Sequence, residues 1–184
     1  MATPGKPDEA LLFIAFSFQR TIALPTLQDL AIAPFGQVWQ QSAPFAFAYS
    51  QYYAQEMGPD LLKMFVVYDQ IFDIEQAVAM KMRAIEIEQA TSENGNRTIN
   101  IDPGYVTLAK LVLTTTKNFD HRIHIGAGIF ADVQLRLRNG EYVTNSWTYP
   151  DYREKQTFDF LKSARSYLHQ LVKQHEANLQ SGRR

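Results

Sequence analysis

The residues best suited to chemistry fall into two groups that lie close together in the chain. Asn100 and Asp102 stand in Asn100-Ile-Asp-Pro-Gly-Tyr105, and Lys110, Lys117, His121 and Arg122 follow shortly after, opposed only by Asp120. Arginine offers a carboxylate or phosphate two parallel hydrogen bonds, and lysine offers it a compact point charge. The pattern points to an anion site held by Lys110, Lys117 and Arg122, with Glu56, Asn100 and Tyr105 as polar neighbours. Asp102 or His121 would supply any acid–base step, His121 pairing with Asp102 or Glu56.

The same residues have plainer readings. Asp102-Pro-Gly-Tyr105 suits a turn, in which proline presets φ, glycine takes a positive φ and aspartate bonds the turn backbone. The basic cluster suits a solvated face with ordinary ion pairs. Tyr49, Tyr52, Tyr53, Tyr149 and Tyr152 can line a pocket that stacks a base or sugar, or be half-buried core residues. His121 and His124 invite a metal together with Asp102. On a strand, however, positions i and i+3 face opposite sides, so no metal site is expected. No Gly-x-Ser-x-Gly supports a serine nucleophile. Near Asp151, where the last helix starts, the carboxylate would repel an anion, so no phosphate is expected there.

Composition narrows the classes. The 184 residues suit one domain, spanning 1–184, with 1–9 and 181–184 expected to be flexible. Such a chain buries about 70% of the surface that its unfolded form exposes. Lys plus Arg number 18 against 19 Asp plus Glu, a net charge of −1, and the basic residues are scattered, so nucleic-acid binding is not expected. The absence of cysteine excludes disulfides, thiolate metal sites and a cysteine nucleophile. Leu11 to Phe18 is too short an apolar run to span a bilayer, and a cytoplasmic protein is expected. The sequence names no cofactor and no oligomeric state.

The elements that must position these residues can be read from periodicity. Leu11–Phe18 is a buried strand, and Pro25 opens a helix to about Phe35 that Gly36 stops. Phe45, Phe47 and Tyr49 alternate as a strand, and Leu61–Phe72 is β-rich. Asp73 and Gln76 form a capping box for a helix with Ile74, Val78, Met82 and Ile85 as its buried face, ended by Asn94-Gly-Asn96. Arg97–Ile101 is a short strand. Leu108–Thr116 mixes helix formers with three threonines and is read as a short helix. Ile129–Arg138 alternates cleanly as a strand, and Asn139-Gly140 turns it into Glu141-Tyr-Val143. Asp151 and Glu154 cap a long last helix with Phe158, Leu161, Leu168, Leu171, Val172 and Leu179 along one stripe.

The order predicts an α+β fold. A ferredoxin-like β-α-β-β-α-β half is extended by a β-meander from His121 to about Trp147, and the C-terminal helix covers the sheet.

Four segments resemble one prokaryotic family, domain of unknown function 4416: Tyr52-Tyr-Ala-Gln-Glu-Met-Gly58, Asn100-Ile-Asp-Pro-Gly-Tyr105, Lys110 through Arg122, and Trp147-Thr-Tyr-Pro-Asp-Tyr-Arg153. The resemblance runs over nearly the whole chain but implies no activity. Some members carry a GTP-binding label. A P-loop GTPase needs Gly-x-x-x-x-Gly-Lys-Ser/Thr to cradle the phosphates, and no such stretch occurs. Thr116-Lys117 precedes Asp120 one residue too far for the guanine-reading Thr-Lys-x-Asp.

The sequence therefore suggests a small-molecule enzyme or ligand-binding protein for a phosphorylated or carboxylated compound, a nucleotide among them. Its site residues would be Asp102 and His121 for chemistry, and Glu56, Asn100, Tyr105, Lys110, Lys117, Arg122, Tyr149 and Tyr152 for binding. The alternative is a non-catalytic module that presents a surface to a partner protein or RNA.

Overall fold

The computed structural model describes residues 3, 5–47 and 54–181. Strands are β1 (Ala10–Gln19), β2 (Val38–Gln41), β3 (Phe45–Ala46), β4 (Leu61–Phe72), β5 (Ile99–Thr107), β6 (Lys110–Thr115), β7 (Ile123–Gly126), β8 (Ile129–Arg138) and β9 (Glu141–Thr144). Helices are α1 (Leu24–Leu27), α2 (Ala54–Met57), α3 (Ala77–Ala90) and α4 (Lys155–Ser181). All strands join one antiparallel sheet in the order β2-β4-β1-β5-β6-β8-β7, with β3 added to β4 and β9 to β8.

The apolar run of β1 lacks alternation because both its faces are covered. Leu11, Phe13 and Ala15 pack with Phe65, Val67, Val106 and Leu111 beneath Leu161, Ala164 and Leu168 of α4. Leu12, Ile14, Phe16 and Phe18 pack on the other face with Leu27, Ala31 and Ala84. The helical path from α1 continues through a π turn (Gln28–Ile32) and a 3-10 turn (Ala33–Phe35), with Pro25 in its first turn as the sequence predicts. Asn139 and Gly140, both at positive φ, make the expected hairpin between β8 and β9.

Four expectations are corrected. Lys110–Thr115 is a strand, because Leu111, Val112 and Leu113 are buried between β5 and β8, where tertiary pairing outweighs helix propensity. Asp102-Pro-Gly-Tyr105 is no turn but the middle of β5. A Cβ on Gly104 would lie 2.2 Å from the Val112 carbonyl oxygen, so glycine is there for close approach of the strands. The buried face of α3 is Ala77, Lys81, Ala84 and Glu88, whereas Met82 is 42% exposed. Asp151 does not cap α4: the Glu154 carbonyl accepts from the N–H groups of Thr157 and Phe158, and the Asp151 carboxylate is buried against Lys63.

Among the described residues, no helix is long and apolar enough to cross a membrane.

Candidate functional site

The sheet face beneath α4 changes character along its strands. On β1 it passes from Phe13 and Ala15 to Ser17, on β4 from Phe65 to Lys63, and on β5 from Gly104 to Asp102 and Asn100. The register brings the polar ends together, Ser17 pairing with both Lys63 and Asn100, and Ala15 with Asp102. Helix α4 covers the apolar half. Over the polar half lies a cavity of about 470 Å³, walled on its far side by Tyr149, Pro150, Asp151 and Tyr152. Lys63, Lys81, Arg97 and Lys117 line it, with Asp102, Asp132 and Asp151 and the threonine run Thr114–Thr116.

Lys63, Lys81, Arg97 and the three aspartates have built positions. Lys63 Nζ lies 2.6 Å from Asp151 Oδ2 and sits 4.8 Å and 5.0 Å from the Phe47 and Tyr152 ring centres. Those rings add cation–π attraction in a dry setting.

Lys81 reaches the site from α3. The β5–β6 ladder ends at Gly104 opposite Leu113, next to Pro103, which has no N–H to continue it. The Pro103 carbonyl accepts from the Thr114 side chain of β6, Oγ1 at 2.8 Å. Beyond that point α3 serves the backbone of β5. Lys81 Nζ donates to the Ile101 carbonyl at 2.8 Å, and Glu88 Oε1 accepts from the Ile101 N–H at 2.6 Å. Buried charges are tolerated when paired in this way. Lys81 Nζ also lies 3.3 Å from Asp102 Oδ1, and Asn100 Nδ2 donates to Asp102 Oδ2 at 2.8 Å.

Arg97 grips Glu56 with two bonds of 2.7 Å, and its third nitrogen donates to Asn100 Oδ1 at 2.8 Å. Arg122 forms a clamp on the opposite wall. Its Nε donates to Asp132 Oδ2 at 2.9 Å, one terminal nitrogen to the Tyr149 hydroxyl at 2.7 Å and the other to the Lys117 carbonyl at 3.0 Å.

Burial raises the Asp102 carboxyl, but Lys81, Lys63 and Asn100 outweigh it and hold the group below its ordinary value. Asp102 is therefore an ionised acceptor rather than a proton donor near neutrality. The Arg97 bonds lower Glu56, while burial raises Glu88. Burial also raises the Tyr149 phenol against the pull of Arg122.

Of the residues expected from sequence, Asn100, Asp102, Lys117, Tyr149 and Tyr152 line the cavity together. Glu56 acts through Arg97, and Arg122 through Asp132 and Tyr149. Lys110 does not converge with them: it pairs with Arg136 at the opposite end of β6. Tyr105 sits opposite Leu12, on the other face of the sheet, with its ring 6.5 Å from that of Phe72. His121 pairs with neither Asp102 nor Glu56. It lies 3.0 Å from Asp120 and 3.4 Å from Asp132, stacked on Trp147 at 4.8 Å in a shallow groove of its own. Tyr49, Tyr52 and Tyr53 lie outside the described residues.

Sequence reasoning missed Lys63, Lys81, Arg97, Asp132 and Asp151. A lone lysine inside the apolar run Leu61-Leu-Lys-Met-Phe65 was the available signal for Lys63. The carboxylate of Asp151 is balanced by that lysine, which removes the expected repulsion of an anion.

Among the described residues, no group of three His, Cys, Asp or Glu gathers to hold a metal ion. No curated protein and no solved structure matches the chain. The four motif segments all fall within the match to one family model, and over residues 8–167 the chain belongs to the domain of unknown function family DUF4416.

Proposed function

We propose that the cavity binds a small phosphorylated or carboxylated compound. The observation that carries this reading is the convergence of Lys63, Lys81, Arg97 and Lys117 on one cavity of about 470 Å³. That volume falls in the range of small-molecule sites, roughly 300–1,000 Å³. Hydroxyls from Thr114 to Thr116 supply further donors for anion oxygens. General-base chemistry on a bound ligand would fall to Asp102, ionised near neutrality, with His121 acting only through Asp132. The reading sets the protein in the cytoplasm, with neither nucleic acid nor a membrane as partner. Its scaffold is taken as a ferredoxin-like half, an interpretation supported by the strand order β2-β4-β1-β5 with α3 between β4 and β5.

The test is a thermal-shift screen against nucleotides, sugar phosphates and carboxylates. A ligand at a hundredfold over its dissociation constant adds about 2.7 kcal/mol of stability. Lys117→Met should weaken a hit, while Lys110→Met, at the far end of β6, should leave it unchanged. Equal loss in both variants, or no hit, refutes the reading.

A second reading, a module that presents a surface to a partner protein, is favoured by Phe119 at 63% and Ile123 at 69% exposure beside the edge strand β7. Light scattering over a concentration series tests one form of it, self-association, which Ile123→Lys should abolish.

A further inference from the structure

Among the described residues, Asp132 brings to the cavity wall a buried carboxylate oxygen without a hydrogen-bond partner. It lies on β8, its side chain is 2% exposed, and it lines the cavity beside Tyr149. Oδ2 accepts from Arg122 Nε at 2.9 Å, and His121 Nε2 lies 3.4 Å away. Oδ1 is buried and has no hydrogen-bond partner among the described residues. Leaving a buried carboxylate oxygen unpaired is costly, and native structures rarely do so without a functional reason.

From this we infer that the ligand carries a neutral hydrogen-bond donor, a hydroxyl group, beside its anionic group, and that Asp132 Oδ1 accepts from it. The inference rests on the anion-binding reading above and sharpens it to a hydroxylated anion, such as a sugar or polyol phosphate or a hydroxy acid. A neutral donor suffices because Arg122 already balances the charge of Asp132. Arg122 bonds Asp132 Oδ2 and the Tyr149 hydroxyl at once, which holds the carboxylate in this wall. Selectivity of this kind comes from the unmade bond, because a ligand without the hydroxyl leaves the carboxylate oxygen buried and unpaired.

The experiment compares ligands matched in ring and charge on the full chain by titration calorimetry: inositol 1-phosphate against cyclohexyl phosphate, and quinate against cyclohexanecarboxylate. The hydroxylated member of the pair that binds should do so at least about tenfold more tightly, as a hydrogen bond to a charged group warrants. Asp132→Asn keeps an oxygen for Arg122 and turns an N–H group to the cavity. It should erase that preference while leaving the unhydroxylated ligand bound. Should the variant fail to fold, the matched pairs on the wild-type protein still decide. Equal affinity within the pairs overturns the inference and leaves the anion site standing. A preference that survives Asp132→Asn overturns the assignment to Asp132. No binding by any of the four overturns the anion site and this inference together.

Discussion

Lys63 Nζ and Asp151 Oδ2 meet at 2.6 Å with only 5% and 2% of their side chains exposed. The pair ties the middle of the sheet to the segment that leads into α4, and so joins the floor of the cavity to its wall. Lysine and aspartate pay heavily for desolvation, and the pair persists only while both partners are present. Lys63→Met and Asp151→Asn should each destabilise the fold by about 3–5 kcal/mol. The double variant should lose clearly less than the sum. Urea denaturation of the three variants checks this, and strict additivity would show that the two residues act independently.

Gly104 makes a second sharp prediction. A Cβ there would stand 2.2 Å from the Val112 carbonyl oxygen and 2.9 Å from Leu113 Cα, both backbone atoms that cannot rotate away. Gly104→Ala should force β5 and β6 apart and cost about 3 kcal/mol or more. Loss of amide-exchange protection at Val112 and Leu113 would locate the damage. A variant as stable as wild type would mean that the strands do not approach so closely.

The legible parts of this fold were those where local pattern and tertiary role agree. Leu11–Phe18 reads as a strand because a central position buries both its faces, and Asn139-Gly140 reads as a hairpin because the turn is made by those two residues alone. Asp102-Pro-Gly-Tyr105 misleads for the opposite reason. Its proline and glycine serve the contact with β6, one at the end of a ladder and the other at a close approach, and neither makes a turn. Helix α3 misleads because its inner face carries Lys81 and Glu88, which take the place of a neighbouring strand along Ile101. No periodicity rule assigns charged residues to a core. Asp132 was hidden likewise: it occupies a polar position of an alternating strand, and the alternation cannot say that this face bounds a cavity rather than solvent. Asn100, Asp102 and Lys117 were found because chain proximity and spatial proximity coincide there.

Glu88 and Glu56 should leave opposite marks on the pH dependence of stability. Burial, the largest influence on Glu88, carries its carboxyl above the ordinary value of 4.5. A raised carboxyl contributes fully below its unfolded pKa, and that contribution is lost as pH rises through the folded pKa. Glu56, lowered by Arg97 from the same value of 4.5, contributes above it and loses the contribution as pH falls. Glu88→Gln keeps an oxygen for the Ile101 N–H. Its stability should therefore fall less than that of wild type as pH rises from about 4.5, the ordinary value for the group. Glu56→Gln should lessen the loss on the acid side. Unfolding free energies over a pH series check both, and unchanged slopes would refute the assignments.

Arg122 carries the last prediction, because one guanidinium holds three parts of the cavity wall: Asp132 on β8, the Tyr149 hydroxyl and the Lys117 carbonyl. Arg122 and Asp132 are 9% and 2% exposed, so Arg122→Ala strands a buried carboxylate and should cost about 3 kcal/mol. Arg122→Lys separates charge from shape. A lysine restores a cation near Asp132 but cannot span the three partners with a planar fork. It should recover part of the stability while leaving Tyr149 unanchored. Fluorescence of the protein's two tryptophans offers a poor reading of Tyr149, so the discriminating measurement is the nuclear magnetic resonance signal of its ring. Slow or restricted ring flipping in the wild type should become fast in Arg122→Lys. If the ring moves equally in both proteins, packing rather than the guanidinium fixes this wall, and the clamp assigned to Arg122 is wrong.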